Sequence, residues 1–357
     1  MKIVYFAPIP FNGLKQRPQH IAEELAKYHE VFYIDPTNSI MKFLLKGGET
    51  FFGFHKEVKE NLHEIRLNGT LTAHRSLEAL DFLNLNTISE RVQLGKLLNS
   101  ADAIWIGYSG WYNVIKNFKN KVLIYDKMDD DIQITKNPLI RKLILSVEPQ
   151  LIKEANYIFV TAQQFYEDIK KKNPNTYLVP NAVSEDFVCN EEYQPAENKK
   201  VFGYIGMIDH WFDMDVIKTI LEADKKNQVI LAGPNNLPEL KHERLTYLGV
   251  VPKEQLPKLI NSFDVCLYPF KKTSLLDSIN PVKIYEYLAL NKPVLAVKSR
   301  ETYQLENCLI LYEDLSQLKN ILQFEQINPF NNNENKIDFI KKNSWEHRTI
   351  QILKIIR

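Results

Sequence analysis

The sequence predicts an α/β protein made of two doubly wound domains, each a parallel sheet with helices on both faces. Three observations carry that prediction. The chain has 357 residues, more than one hydrophobic core usually organises. Short apolar runs of strand length alternate with amphipathic helical stretches along its whole length. An acidic, apolar-poor stretch at 184–199 interrupts the alternation once and reads as a linker, after which the series begins again.

In the first series the expected strands are Lys2–Phe6, Val31–Ile34, Ala103–Ile106, Val122–Tyr125, Tyr157–Thr161 and Tyr177–Val179. Helical periodicity fills the gaps at Pro18–Tyr28, about Ser89–Leu98, Pro138–Glu154 and Gln163–Lys172. The second series gives strands at Val201–Ile205, Gln228–Ala232, Leu245–Leu248, Val265–Tyr268, Val294–Val297 and Leu309–Tyr312. Its helices fall near Asp213–Glu222, Lys253–Asn261, Pro281–Leu290 and Leu315–Phe324. A polar run from Asn328 to Asn335 precedes a last helical stretch, Lys336–Ile356, with a break at Asn343–Ser344. The expected domains are therefore 1–183, joined by a C-terminal helix at about 343–357, and 200–342. Two such domains facing each other leave a cleft at the C-terminal ends of their strands, where open α/β sheets bind ligands.

Composition narrows the function. Forty-five basic residues against 44 acidic leave no net field to draw the chain to nucleic acid. Cys189, Cys266 and Cys308 are odd in number and lack metal or redox spacing, which fits reduced thiols in a cytoplasmic protein. Met1 to Pro8 starts a buried strand at once rather than a signal peptide, and no window approaches 18 uninterrupted apolar residues. Any membrane contact is expected to be peripheral. Ser39–Lys46 and Phe51–Lys56 mix aromatics with lysines and suit either a membrane surface or a flap over an acceptor pocket.

The most informative segment is Ser278–Val297. Asn280 suits an N-cap and Pro281 the first helical position. Val282, Tyr285, Leu288 and Ala289 form one apolar stripe. Lys283 and Glu286 share the opposite face near the helix start. Free N–H groups plus a lysine suit a diphosphate, and a carboxylate one turn further suits ribose hydroxyls. The same pair alone also describes a solvated helix face.

Several ordered motifs turn this into a family resemblance. They are Arg17-Pro-Gln-His20, Tyr125-Asp-Lys-Met-Asp-Asp130, Val179-Pro-Asn-Ala182, Gly203-Tyr-Ile-Gly206, Leu231-Ala-Gly-Pro234, Tyr247-Leu-Gly-Val250, Asp264-Val-Cys-Leu-Tyr-Pro-Phe270 and Asn280-Pro-Val-Lys-Ile-Tyr-Glu286, with Ser344-Trp-Glu346 near the end. Together they resemble the GT-B glycosyltransferases, and specifically the retaining family-4 group with its teichuronic-acid-type polysaccharide branch. The resemblance implies two Rossmann-like domains and a terminal helix crossing back to the first. It implies transfer of a hexose-type sugar from a nucleotide diphosphate, UDP favoured and GDP next, to a hydroxyl of a glycan or lipid-linked acceptor. No cofactor and no metal are expected, because this fold does not depend on an Asp-x-Asp metal clamp. The expected setting is cell-envelope polysaccharide synthesis, in the cytoplasm or at the inner face of the membrane.

On that resemblance the donor side comprises Glu286, Lys283, Gly206, Ser278, Asn280, Trp211 and the backbone at Val250 and Val251. Lys283 also stabilises the leaving group, and Asp129 or Asp130 faces the acceptor, plain helix capping being the alternative for this pair. Gly13, Arg17 and His20 lie on the acceptor side, and Asn181 ties the hinge. Two departures from the pattern stand out. The first of the usual two glutamates, separated by seven residues, falls on Ser278, and the usual Arg/Lys pair after the first strand of the second domain is replaced by Met207-Ile-Asp-His-Trp-Phe-Asp213. Three rival readings exist: a nucleotide-sugar 2-epimerase of the same architecture, a non-catalytic two-lobed binding protein, and a nicotinamide dehydrogenase. The last lacks its signal, because no Gly-x-Gly-x-x-Gly follows the first strand.

Overall fold

The computed structural model describes residues 1–13, 15–37, 52–68, 85–184, 187, 200–323 and 333–356. Ser39–Lys46, Phe51, Cys189, almost all of the 184–199 linker and residues 328–332 lie outside the described residues. The chain forms two compact units, Met1–Pro180 with Thr349–Arg357, and Asn181–Arg348.

The first unit holds an eight-stranded sheet in the order β3-β4-β2-β1-β5-β6-β7-β8. The strands are β1 (Lys2–Phe6), β2 (Glu30–Ile34), β3 (Phe54–Lys59), β4 (Leu62–Arg66), β5 (Ala103–Ile106), β6 (Val122–Lys127), β7 (Tyr157–Val160) and β8 (Thr176–Leu178). All neighbours pair in parallel except β3, which runs antiparallel to β4 at the edge. Parallel strands covered on both faces need continuous apolar runs, and β1, β2 and β5 are buried almost throughout. Tyr33, Tyr5, Trp105 and Phe159 stack in series across the sheet, with centroids 5.5, 5.5 and 5.6 Å apart.

The β3–β4 hairpin is absent from the expected strands. Its outer strand reads Phe-His-Lys-Glu-Val-Lys and stays mostly exposed, so charge hides the pattern. Asn61, at φ 60°, turns the chain between the two strands, a conformation asparagine tolerates better than most residues.

The second unit holds a six-stranded, all-parallel sheet in the order β11-β10-β9-β12-β13-β14. The strands are β9 (Lys200–Ile205), β10 (Asn227–Ala232), β11 (Leu245–Gly249), β12 (Val265–Tyr268), β13 (Val294–Val297) and β14 (Ile310–Tyr312). Counted within the unit this is the Rossmann order 3-2-1-4-5-6, and the strand order reverses between β9 and β12. Both sheets thus bear out the expected parallel α/β class. Helices Met214–Ala223, Val282–Ala289 and Leu315–Gln323 cover it, and the last helical stretch breaks at Asn343–Ser344 into Asn333–Lys342 and Trp345–Ile355.

The unit boundary differs from the expected break after residue 183 and return at 343. Asn181 belongs to the second unit because its N–H donates to Asn280 Oδ1 at 2.8 Å. Val183 donates to the Asn343 carbonyl at 2.8 Å, which holds 181–184 and the start of the last helix in that unit. Among the described residues no helix is long and apolar enough to cross a membrane.

Candidate functional site

The site in the second unit grows from two connections that flank the switch point, one leaving β9 and one leaving β12. β9 ends at Gly206, whose φ of +142° strains any residue with a side chain. A Cβ there would stand 2.1 Å from Lys283 Cε and 2.8 Å from Lys283 Nζ. The absence of that Cβ is what lets the lysine lie flat against the backbone. The next strand ends the same way: a Cβ on Gly233, φ +136°, would meet the Gly206 carbonyl at 2.1 Å. The two glycines bring the ends of β9 and β10 together, and Gly206 N–H donates to the Ala232 carbonyl at 2.8 Å.

Lys283 stands in the first turn of helix Val282–Ala289, where the helix dipole favours an anion and, among the described residues, only the Ile284 N–H, at 3.1 Å from the Pro281 carbonyl, is bonded back within the turn. The side chain is half-buried. Desolvation holds its pKa below that of an ordinary lysine, and the nearby Glu286 carboxylate resists the shift. Its Nζ lies 5.8 Å from the Tyr204 ring centroid, and no carboxylate or carbonyl among the described residues accepts a hydrogen bond from it. Tyr204 donates to the Met207 carbonyl at 2.9 Å, which fixes the ring beneath the lysine, and Tyr287 accepts from Ile205 N–H at 2.9 Å at the end of β9. The sequence reading missed Tyr204, although it sits inside the Gly203-Tyr-Ile-Gly206 motif.

The other expected donor residues of this unit differ in exposure and contacts. Glu286 is half-buried one turn beyond Lys283. Val250 is 74% exposed just past β11, and Val251 is half-buried. Trp211 packs half-buried on the core with His210 edge-on at 4.7 Å, and its carbonyl accepts from Lys271 N–H at 2.7 Å. Asp213 caps the following helix through Asp215 N–H.

Two donor expectations need correction. Ser278 is 0% exposed, and its hydroxyl donates to the Leu275 carbonyl at 2.8 Å inside a 3₁₀ turn, so it presents nothing to a sugar. Asn280 is not the N-cap, a place Pro281 takes without a side-chain bond. Its Oδ1 accepts from Asn181 N–H and its Nδ2 donates to Glu301 at 2.8 Å, and with the residue only 8% exposed these bonds commit the side chain to the protein interior.

The first unit changes the roles of three more residues. Arg17 is 3% exposed and spends its guanidinium on Asp126, at 2.8 to 3.1 Å, and on the carbonyls of Val179 and Pro180. It is a buried tie, not an acceptor ligand. His20 is buried in the same helix. Asp130 caps helix Asp131–Ile134, with one oxygen on Gln133 N–H at 3.1 Å and the other on the Gln133 amide at 2.7 Å, so it is not free to serve a reacting hydroxyl. Gly13 is exposed with open space where a side chain would go. Its neighbours Phe11 and Asn12 are anchored to the buried carboxylates of Asp35 (2.8 Å) and Glu64 (2.9 Å).

Asp129 and its neighbour Asp131 remain as titratable candidates beyond β6. Asp129 keeps contact with solvent, yet protein atoms crowd its carboxyl enough that desolvation raises its pKa against Lys127 and Arg17. Asp131, which the sequence reading passed over, is pushed up to about 7, first by burial and then by Asp129, Glu148 and Asp130, with Lys127 opposing. The run Asp129-Asp-Asp131 was the available signal: only the middle aspartate is needed as a cap. Lys127 is tied to Glu148 at 2.7 Å and lies 4.9 Å from the Phe165 ring centroid. Among the described residues no group of three or more His, Cys, Asp or Glu is placed to hold a metal ion.

Two Rossmann-type sheets, with glycine turns and a helix start at the switch point of the second, define the chain's class: it has the GT-B glycosyltransferase fold. It is similar to the E. coli structure described as trehalose-6-phosphate bound with UDP-2-fluoro glucose, at TM-score 0.72 and 11% identity over 99% of this chain and 98% of that one. It is also similar to HepE from Anabaena in complex with UDP and glucose, at TM-score 0.66 and 12% identity over 100% and 99%. A UDP-forming α,α-trehalose-phosphate synthase from Burkholderia vietnamiensis gives TM-score 0.69 and 11% identity over 100% of both chains. By sequence, the chain is 22% identical over 183 residues to a Bacillus subtilis protein named as a teichuronic acid biosynthesis glycosyltransferase, TuaH. That match covers 46% of this chain and 46% of the relative, so it spans under half of the relative's length. No family model matches the chain.

Proposed function

We propose that the chain is a glycosyltransferase that moves a hexose-type sugar from a UDP-sugar to a hydroxyl of a glycan or lipid-linked acceptor, with retention, in surface polysaccharide synthesis. The observation that carries this reading is Lys283, a half-buried amine laid against Gly206 at a helix start, with no hydrogen-bond acceptor among the described residues. A desolvated cation beside free N–H groups is a site for a pyrophosphate. Solved neighbours of the fold that hold UDP, and the name of the Bacillus relative, support the nucleotide and the polysaccharide setting.

In this reading Glu286 accepts hydrogen bonds from the ribose hydroxyls, and backbone groups at Val250 and Val251 meet the base edge. The bond between the anomeric carbon and the β-phosphate oxygen breaks while the acceptor oxygen bonds to the same face of that carbon. The acceptor proton passes to the departing phosphate, whose charge Lys283 and the helix N–H groups neutralise. The transition state is oxocarbenium-like. Asp129 and Asp131 face the acceptor hydroxyl, and no metal is required. The exposed Phe52 and the aromatic, lysine-bearing strand β3 are where a lipid-linked acceptor or membrane surface would meet the first unit.

Thermal unfolding with UDP, GDP, ADP, CMP or buffer tests the donor site. A nucleotide present at about 100 times its dissociation constant adds roughly 2.7 kcal/mol, a shift of several degrees. A shift confined to UDP supports the reading, a shift confined to GDP changes the base, and no shift with any nucleotide removes the donor site.

A further inference from the structure

The chain leaves the first unit at a single peptide, Pro180–Asn181, and buried groups grip it on each side. Before the crossing, Arg17 donates to the carbonyls of Val179 at 2.9 Å and Pro180 at 3.2 Å. After it, Asn181 is held by every main-chain polar group it has. Its N–H donates to Asn280 Oδ1 at 2.8 Å, and its carbonyl accepts from Arg348 at 3.4 Å. Its side-chain amide donates to the Asn280 carbonyl at 3.0 Å.

Arg348 is also the last residue before the second crossing, Arg348–Thr349. It donates to the Lys342 carbonyl at 3.1 Å and to Asn343 Oδ1 at 2.6 Å. The Tyr285 hydroxyl, on helix Val282–Ala289, faces both Asn280 and Arg348. Both crossings therefore meet on Asn181 and Arg348, and Asn280 connects them to the helix that carries Lys283. Asn280 precedes Lys283 by three residues, and its own side chain is fixed by Glu301 at 2.8 Å.

One member of this network is left over. Asn181 Oδ1 is buried and has no hydrogen-bond partner among the described residues. An orphaned buried acceptor is costly, so this network has a bond still to gain. A small shift of the helix start that brings a donor to that oxygen would be favourable.

We propose that Asn280 is the positioning residue through which a diphosphate held at Lys283 acts on the crossing peptide Pro180–Asn181. The inference rests on the donor-site reading above. Anion binding draws on the first turn of helix Val282–Ala289, and the two bonds between Asn280 and Asn181 pass the displacement to both crossings. Coupling of this kind is reciprocal: tighter crossings raise nucleotide affinity by the same factor by which nucleotide tightens the crossings.

Hydrogen–deuterium exchange of the full chain with and without saturating UDP tests it, following peptides that contain 178–184, 281–290 and 343–350. In the wild type, UDP slows exchange in all three, at the crossings by about fivefold or more. In Asn280→Ala, UDP still protects 281–290, while the two crossings change by less than about twofold. If Asn280→Ala does not melt cooperatively, Asn181→Ala replaces it: its N–H still donates to Asn280 Oδ1, while the side-chain bond to the Asn280 carbonyl is lost. Crossings that respond as in the wild type in a folded variant overturn the inference. So does a wild type in which 281–290 responds and the crossings do not. A wild type without protection at 281–290 overturns the donor site itself, and the coupling with it.

Discussion

Replacing Lys283 by methionine should weaken nucleotide binding sharply without costing the ligand-free fold anything. The two side chains are similar in length, so the packing against Gly206 is retained. What disappears is a charge that burial already disfavours and that has no hydrogen-bond acceptor among the described residues. Its removal relieves desolvation, so the melting temperature should stay level or rise. With UDP bound, the same amine makes a charge-assisted bond to phosphate worth about 1.5–3 kcal/mol, and its loss weakens binding roughly 10–150-fold. Calorimetric titration of both proteins with UDP and with uridine separates the terms, because uridine has no phosphate and should bind both equally. Wild-type affinity for UDP should also decline as pH rises through the depressed pKa of Lys283, at a lower pH than an ordinary lysine would give. An equal loss for uridine, or a fall of several degrees in the melting temperature, would refute the reasoning.

Three further outcomes follow from the geometry. Gly206→Ala places a methyl group 2.1 Å from Lys283 Cε in a backbone conformation glycine favours, so UDP affinity should drop at least tenfold, about 1.4 kcal/mol; unchanged titration would contradict the cradle. Arg17→Met leaves Asp126 buried without its bidentate partner and frees the Val179 and Pro180 carbonyls, and should cost about 3–5 kcal/mol in urea unfolding; a loss under about 1 kcal/mol would make Arg17 a ligand rather than a tie. Asp131, with a folded pKa of about 7 against 3.8 unfolded, binds more protons folded than unfolded between those values. Its contribution to stability therefore falls as pH rises from about 4 to about 7 and then levels. Asp131→Asn should gain on the wild type across that window in melts from pH 5 to 8, and a difference independent of pH would show the shift to be absent.

The sheets were legible in the sequence because buried parallel strands leave a local mark: Val294–Val297 is four apolar residues between a helix end and a polar turn. The β3–β4 hairpin left none, since an exposed edge strand of alternating charge looks like a loop. At the site, Lys283 and Glu286 could be found from helical spacing. The contact that gives Lys283 its meaning lies with Gly206, 77 residues away, and only the fold supplies it. Ser278 and Asn280 were misread for a related reason. Local rules place a cap before Pro281, whereas a 3₁₀ turn buries the serine and Asn181, from a distant segment, takes the asparagine. Arg17 reads from the sequence as an acceptor-side residue because nothing near it in the chain announces Asp126.

The central claim, transfer from a nucleoside diphosphate sugar, is tested most directly by measuring UDP release. The full chain would be incubated with a panel of UDP-hexoses, with and without a bacterial membrane lipid and glycan extract. The account predicts UDP release with one donor of the panel, stimulated by the extract and matched by sugar appearing in it. UDP binding without release from any donor, extract present, would contradict it and make the chain a nucleotide-binding protein on a glycosyltransferase fold.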